Sequence, residues 1–147
     1  MWSTSCPISP PASNSDYLRE HARRLLRQAR DGDSSAALPV LRRLQSADIT
    51  RASRLTDFHA KRDALQLKHV LAMLAKELGY SSWDACKNDI DTEPAARIDR
   101  YRLDAGAFND YERNWFANEA DALAWQRANG GYLVPYGEQV VAILKRE

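Results

Sequence analysis

The sequence predicts an α+β fold, an N-terminal helical bundle followed by a small αβ unit with a C-terminal β-hairpin. Three observations predict it. Leucine and alanine recur at helical spacing from Leu18 to Leu78, an acidic, proline-containing connector follows at Asp89-Ile90-Asp91-Thr92-Glu93-Pro94, and aromatic and β-branched residues then gather in short runs. The organisation that follows is a flexible tail over residues 1–15, a helical domain over 16–90 and a small αβ unit over 95–147 that packs on or next to it.

The first helix starts at Ser15 or Asp16, whose side chains can accept from free amides of the opening turn, and runs to about Arg30. Leu18, Ala22, Leu25, Leu26 and Ala29 share one of its faces, Arg19, Arg23, Arg27 and Arg30 another, and Asp31-Gly32-Asp33 stops it. A second helix from about Ser35 to Gln45 turns Leu38, Leu41 and Leu44 inward and tolerates Pro39 only near its first turn. Ile49, Ala52 and Leu55 continue a weaker helical pattern. Asp63, with Gln66 three residues on, reads as a capping box for a helix whose apolar stripe is Leu67, Val70, Leu71, Leu74, Ala75 and Leu78, ended by Gly79. Ser82 then caps a short helix through about Asn88, with Trp83 folded back as a core aromatic.

Beyond the connector, the runs from Arg97 to Leu103 and from Arg113 to Phe116 read as short strands, with Phe108 and Trp115 in the core. Asn118 and Asp121 cap a helix that presents Ala120, Leu123, Ala124 and Ala128 and ends at Gly130-Gly131. The closing hairpin joins Tyr132-Leu133-Val134 to Gln139-Val140-Val141-Ala142-Ile143 around Pro135-Tyr136-Gly137, because proline suits the second position of a tight turn and glycine the fourth.

The formal net charge of +1 and the 28% of charged residues place the chain among globular proteins rather than disordered ones. That near-neutrality hides an asymmetry: Tyr17 to Val70 holds twelve basic against six acidic residues, and Leu71 to Glu147 nine against thirteen. A basic front fits an anionic partner, or two halves whose fields complement each other. No apolar run approaches the ~20 residues that span a bilayer, so no membrane partner is expected. Cys6 and Cys86 form no disulfide framework and fit a reducing cytoplasm.

The run Leu67-x-His69-x-x-Ala72-x-x-Ala75-x-Glu77-x-Gly79-Tyr80-x-Ser82-Trp83 resembles a helical segment of uncharacterised bacterial proteins, some assigned to the ankyrin-repeat and some to the glyoxalase superfamily. The stretch from Asn114-Trp115-Phe116-Ala117 through Gly130-Gly131-Tyr132-Leu133-x-Pro135-Tyr136 looks like the C-terminal end of another group of small bacterial proteins. The chain shows neither a following ankyrin repeat nor the repeated metal-binding βαβββ units of a glyoxalase. The resemblance therefore implies a bacterial fold module and carries over no catalytic residue.

Candidate chemistry is sparse. Ala75, Gly79 and Ser82 reproduce the spacing of a helix-turn-helix, but the second helix, Trp83 to Asp89, is net acidic and would be repelled by phosphates. Residues Arg19, Arg23, Arg27 and Arg30, continued by Arg42, Arg43, Arg51, Arg54, Lys61 and Arg62, form the stronger anionic-partner signal, although few aromatics interleave with them. His59, Asp63, His69 and Cys86 lack a ligand spacing for metal, and the Gly130-to-Gly137 segment lacks the Lys-Ser/Thr of a phosphate loop. Asp110 and Glu112 are a carboxylate pair whose convergence with His69 and Cys86 in one cleft would point to an enzyme. The reading is a non-catalytic module that binds a protein partner or its own copy, with no cofactor and no metal. Its test residues are Arg23, Arg27 and Arg30 on the basic face and Tyr132 and Tyr136 on the hairpin, where Pro135 marks a sheet edge. The alternative is a nucleic-acid-binding regulator that uses the basic helical face.

Overall fold

The architecture is the α+β arrangement expected, helices first and a three-stranded antiparallel sheet last, in the computed structural model, which describes residues 2–8, 13–49, 59–60 and 62–144. The chain divides into two compact units, Ala12–Glu93, and Met1–Pro11 with Pro94–Glu147. The weak helical pattern through Ala52 and Leu55, with Arg51, Arg54 and Lys61, lies outside the described residues.

In the first unit, α1 (Asn14–Asp31) starts earlier than the sequence pattern indicates, because Ser13 is its cap and accepts from the Asp16 amide. The next two residues are buried and committed. Asn14 donates to the carbonyls of Ile90 and Glu93 at 2.8 and 3.1 Å, and the Ser15 amide and hydroxyl donate to Asp91 at 2.8 and 2.7 Å. Four long-range bonds thus anchor the helix start to the 3-10 turn Ile90–Thr92 and the residue that follows it. Residues 14 and 15, which the sequence pattern places in the tail, are structural.

Helix α2 (Ser34–Ser46) is capped by Asp33, which accepts from the Ala36 amide at 3.0 Å. Pro39 is its sixth residue, inside the helix rather than near its first turn as expected, and it forgoes the bond to the Ser35 carbonyl. Helix α3 (Leu67–Glu77) is opened by Gln66, and Asp63 lies instead in a 3-10 turn, Arg62–Ala64. The reciprocal partner is His69, whose Nδ1 accepts from the Gln66 amide at 2.9 Å. An imidazole does here what a carboxamide or carboxylate does in the usual capping box, because it reaches the same backbone donor. Gly79, at φ 94, ends the helix turn as expected, and Ser82 caps α4 (Trp83–Asp89).

Leu18, Ala22, Leu25 and Ala29 of α1, Leu41 and Leu44 of α2, and Val70, Leu71, Leu74 and Ala75 of α3 are buried, as is Cys86 of α4. Arg43 of α2 clamps Glu77 of α3 with two bonds of 2.9 and 2.7 Å. Trp83 is only half-buried, contrary to the core role expected of it, and the Arg19 guanidinium lies over its ring at 5.6 Å.

In the second unit, the run expected as a strand from Arg97 to Leu103 is helical, a 3-10 turn Ala95–Ile98 leading into α5 (Asp99–Asp104). Pro94 starts it, and Ile98, Tyr101 and Arg102 are buried at helical spacing. The strands are β1 (Glu112–Phe116), β2 (Tyr132–Tyr136) and β3 (Gln139–Leu144), ordered β1-β3-β2. The turn is Gly137-Glu138, with Gly137 at φ 62 as the two-residue hairpin turn requires, so Pro135 is a strand residue and not a turn residue. Strand β2 is nonetheless an edge, as Pro135 predicts.

Helix α6 (Glu119–Asn129), capped by Asn118 as expected, buries Ala122 and half-buries Leu123 and Trp125, while Ala120, Ala124 and Ala128 are exposed. Its inward face is rotated from the expected one because the large Trp125 ring takes the side that meets Phe116, at 5.5 Å between centroids. Phe108 is fully buried against Val134, Val141 and Ile143 on the opposite face of the sheet, as its core role demands. Trp115, the other aromatic expected in that core, is not in it. It is 49% exposed.

The N-terminal segment is also part of this unit. Trp2 donates its amide to the Asn129 carbonyl at 3.0 Å and accepts from the Gly131 amide at 3.3 Å, forming a parallel bridge with Gly130. A Cβ on Gly130, which sits at φ 79, would come within 2.0 Å of the Trp2 carbonyl oxygen. Glycine is what lets the two backbones meet.

Candidate functional site

Alternation along the sheet decides which side chains meet. Arg113 and Trp115 of β1 lie opposite Ile143 and Val141 of β3, whose other neighbours are Tyr132 and Val134 of β2. These residues share one face, the one that buries Phe108 and Leu103, and Tyr136 extends it at the hairpin end. At that end the cover stops. Trp115 and Tyr136 meet edge to face, centroids 5.7 Å apart and planes at 86°, and so form two walls of a corner.

The corner is flanked by positive charge. The Arg100 guanidinium of α5 stacks over Tyr101 at 5.1 Å and over Tyr136 at 5.8 Å, and Arg113 stands exposed beside Trp115. The Tyr136 hydroxyl donates to Asp104, which fixes the ring's orientation. A shallow cleft of about 540 Å³ runs through this place, lined by Asp104, Gly106, Asn109, Arg113, Trp115 and Tyr136. Chemically it offers aromatic faces, a guanidinium, the Asp104 carboxylate and a side-chain amide, a set suited to recognition.

A second polar cluster lies beneath the same face. Asp99 and Arg102 are 2% and 3% exposed and pair at 2.8 Å; Arg102 also donates to the Ala95 carbonyl at 2.6 Å, and the Tyr132 hydroxyl donates to the other oxygen of Asp99. Burial raises the Tyr132 pKa well above the ordinary phenol value, the Asp99 carboxylate raises it further, and the nearby Cys6 sulfur acts in the same direction. The phenol is therefore a fixed donor. Both oxygens of Asp99 are engaged, so this group ties α5 to β2, and a cavity of about 310 Å³ beside it is lined by Cys6, Ile8, Ala95, Asp99, Arg102 and Tyr132.

Of the residues singled out from sequence, Tyr136 belongs to the aromatic corner, while Tyr132 has its hydroxyl on Asp99 and its ring 6.4 Å from Phe108. Arg23, Arg27 and Arg30 lie on α1 in the other unit, all exposed. Part of that basic face is neutralised within the helix, where Arg19 pairs with Asp16 at 3.0 Å and Arg23 with Glu20. Arg43 and Arg62 are also engaged, the latter donating to the Gly32 carbonyl at 2.8 Å.

Asp110 and Glu112 are exposed, Cys86 is fully buried and His69 caps α3. Among the described residues no group of three or more His, Cys, Asp or Glu is placed to hold a metal ion, and no helix is long and apolar enough to cross a membrane. Sequence reasoning missed Arg100 and read Trp115 as a core residue, although the polar and aromatic run from Asn109 to Trp115 supplies three residues of the cleft, Asn109, Arg113 and Trp115. The signal lay in the alternation Glu112-Arg113-Asn114-Trp115-Phe116: Phe116 and Trp115 must point to opposite faces, and Trp115 keeps company with Arg113. No family model matches this chain, and neither a curated protein nor a solved structure matches it.

Proposed function

We propose that this chain is a non-catalytic interaction module of the bacterial cytoplasm that presents the Trp115 and Tyr136 corner, with Arg100 and Arg113, to a protein partner or to its own copy. The observation that carries this reading is Trp115 itself, a tryptophan left 49% exposed on an edge strand. Leaving half of so large an apolar ring in water forgoes burial that association can recover. Tryptophan, tyrosine and arginine are also the residues that dominate binding energy at protein interfaces. The free thiols of Cys6 and Cys86 support a reducing compartment.

The alternative partner, a nucleic acid, draws its support from Arg27 and Arg30, and is weakened by the Asp16 and Glu20 carboxylates that pair with the neighbouring arginines. The two readings separate by site-specific photocrosslinking in a bacterial lysate, with a benzophenone amino acid placed at position 115 or at position 27. A protein adduct from position 115 that forms equally in ~0.3 M salt, and is lost when Tyr136→Ala is added, supports the protein-binding reading. A nucleic-acid adduct from position 27, with none from 115, replaces it by the alternative.

A further inference from the structure

The two edges of the sheet differ in whether they can accept another strand. In the two-residue hairpin, the closing pair Tyr136 and Gln139 is hydrogen-bonded, so residues 139, 141 and 143 of β3 spend their backbone groups on β2. Residues 140, 142 and 144 therefore serve β1, through Phe116, Asn114 and Glu112. On β2, Pro135 is an outward-facing position, and it has no amide to offer; Trp2 also pairs just before the strand, at Gly130. On β1 the outward-facing positions are Arg113 and Trp115, each with an amide and a carbonyl. Among the described residues no strand pairs with that edge.

We propose that β1 pairs antiparallel with β1 of a second copy of this chain, about a two-fold axis at Asn114, to make a six-stranded sheet. This rests on the reading of the Trp115 face as a protein-binding surface and names its partner. The five-residue strand is complementary to itself in this register. Arg113 falls opposite Trp115 of the partner strand, and Trp115 opposite its Arg113, so the outward amides and carbonyls close four backbone hydrogen bonds. The same two pairs put a guanidinium beside an exposed indole on the face that already stacks Arg100 on Tyr136. Asn114 meets its own copy on the other face, where two amides can bond reciprocally. Shifting the register by two residues in one direction sets Arg113 against Arg113, which like-charge repulsion disfavours. Strand β1 has no proline to blunt its edge, and the charge at its outward-facing Arg113 is met by an indole in this register. The short ladder predicts a weak dimer that grows with concentration.

The test is sedimentation velocity of the full chain from ~10 to ~500 µM, a range over which mass action populates a weak dimer. The wild type should shift from monomer towards dimer and keep that shift in added salt. W115K sets a lysine opposite Arg113 and should remain monomeric throughout. The double variant R113E/W115K sets opposite charges across the same pairs and should recover the concentration dependence. Arg113→Pro removes an outward amide, as Pro135 does on the other edge, together with the guanidinium that meets the partner's indole, and should abolish association while circular dichroism is unchanged. A wild type that stays monomeric, an association that survives both W115K and Arg113→Pro, or a folded double variant that does not recover overturns the pairing. A monomeric wild type that still crosslinks a different protein through position 115 overturns only the pairing; one that crosslinks nothing there overturns the function reading too.

Discussion

Acid should weaken the helical unit most through one buried imidazole, His21. His21 is 3% exposed on α1, stacked on Tyr17 with centroids 6.2 Å apart, and its Nδ1 lies 3.2 Å from Arg24 Nη2. A guanidinium only donates, so Nδ1 accepts and the ring is neutral with its proton on Nε2. Burial, then the charges of Arg24 and Arg43, lower its pKa from 6.5 to about 4, with Glu77 opposing. The unfolded chain takes up this proton near pH 6.5 and the folded chain only near pH 4, so between these values the unfolded state binds more protons and stability falls as pH falls. At about 1.4 kcal/mol per unit, acidification from pH 7 to pH 4 removes about 3 kcal/mol. That is a large share of the ~5 to 15 kcal/mol that holds a domain of this size. His69, lowered by burial and by Lys68, titrates with the same sign, so the contribution of His21 is isolated by difference. His21→Asn keeps an acceptor for Arg24 and cannot titrate. Urea unfolding of both proteins at several pH values between 4 and 7 should show the wild type losing about 3 kcal/mol more than the variant. Parallel pH profiles, or an NMR titration that places His21 near 6.5, would refute the reasoning.

Four further outcomes follow from single contacts. Phe108→Ala empties a fully buried aromatic site beneath the sheet and should cost about 3 to 5 kcal/mol in chemical denaturation; a cost under ~1 kcal/mol would mean the core is not organised around it. Tyr132→Phe deletes the donor to one oxygen of buried Asp99 and should cost about 1 to 3 kcal/mol, so an unchanged denaturation midpoint counts against the clamp. Asn118→Ala removes the 2.8 Å cap on the Asp121 amide and should cost about 1 kcal/mol, whereas Asn118→Asp should be tolerated in the same thermal melt. Gly130→Ala forces a Cβ against the Trp2 backbone at a positive φ; hydrogen exchange should then show the Trp2 amide losing protection at a stability cost of about 1 kcal/mol or more, and retained protection would contradict the bridge.

Local signals by themselves determined most of the helical elements and the hairpin. The stripe from Leu67 to Leu78, the caps at Ser82 and Asn118, the burial of Phe108 and the edge position of Pro135 are consequences of spacing and side-chain chemistry within a few residues, and all are legible before any folding. What only the tertiary structure decided are matters of competition between equivalent local choices. Ile98 and Tyr101 suit a strand as well as a helix, and Pro94 with the Asp99, Arg102 and Tyr132 clamp selected the helix. Trp115 and Phe116 are both large aromatics in one strand, where successive side chains face opposite ways. Phe116 met Trp125 of α6, and Trp115 was left at an edge beyond the reach of Phe108. The aromatic corner exists because α5, β1 and the hairpin bring Arg100, Trp115 and Tyr136 together from three separate segments of the chain, a convergence that no local pattern encodes.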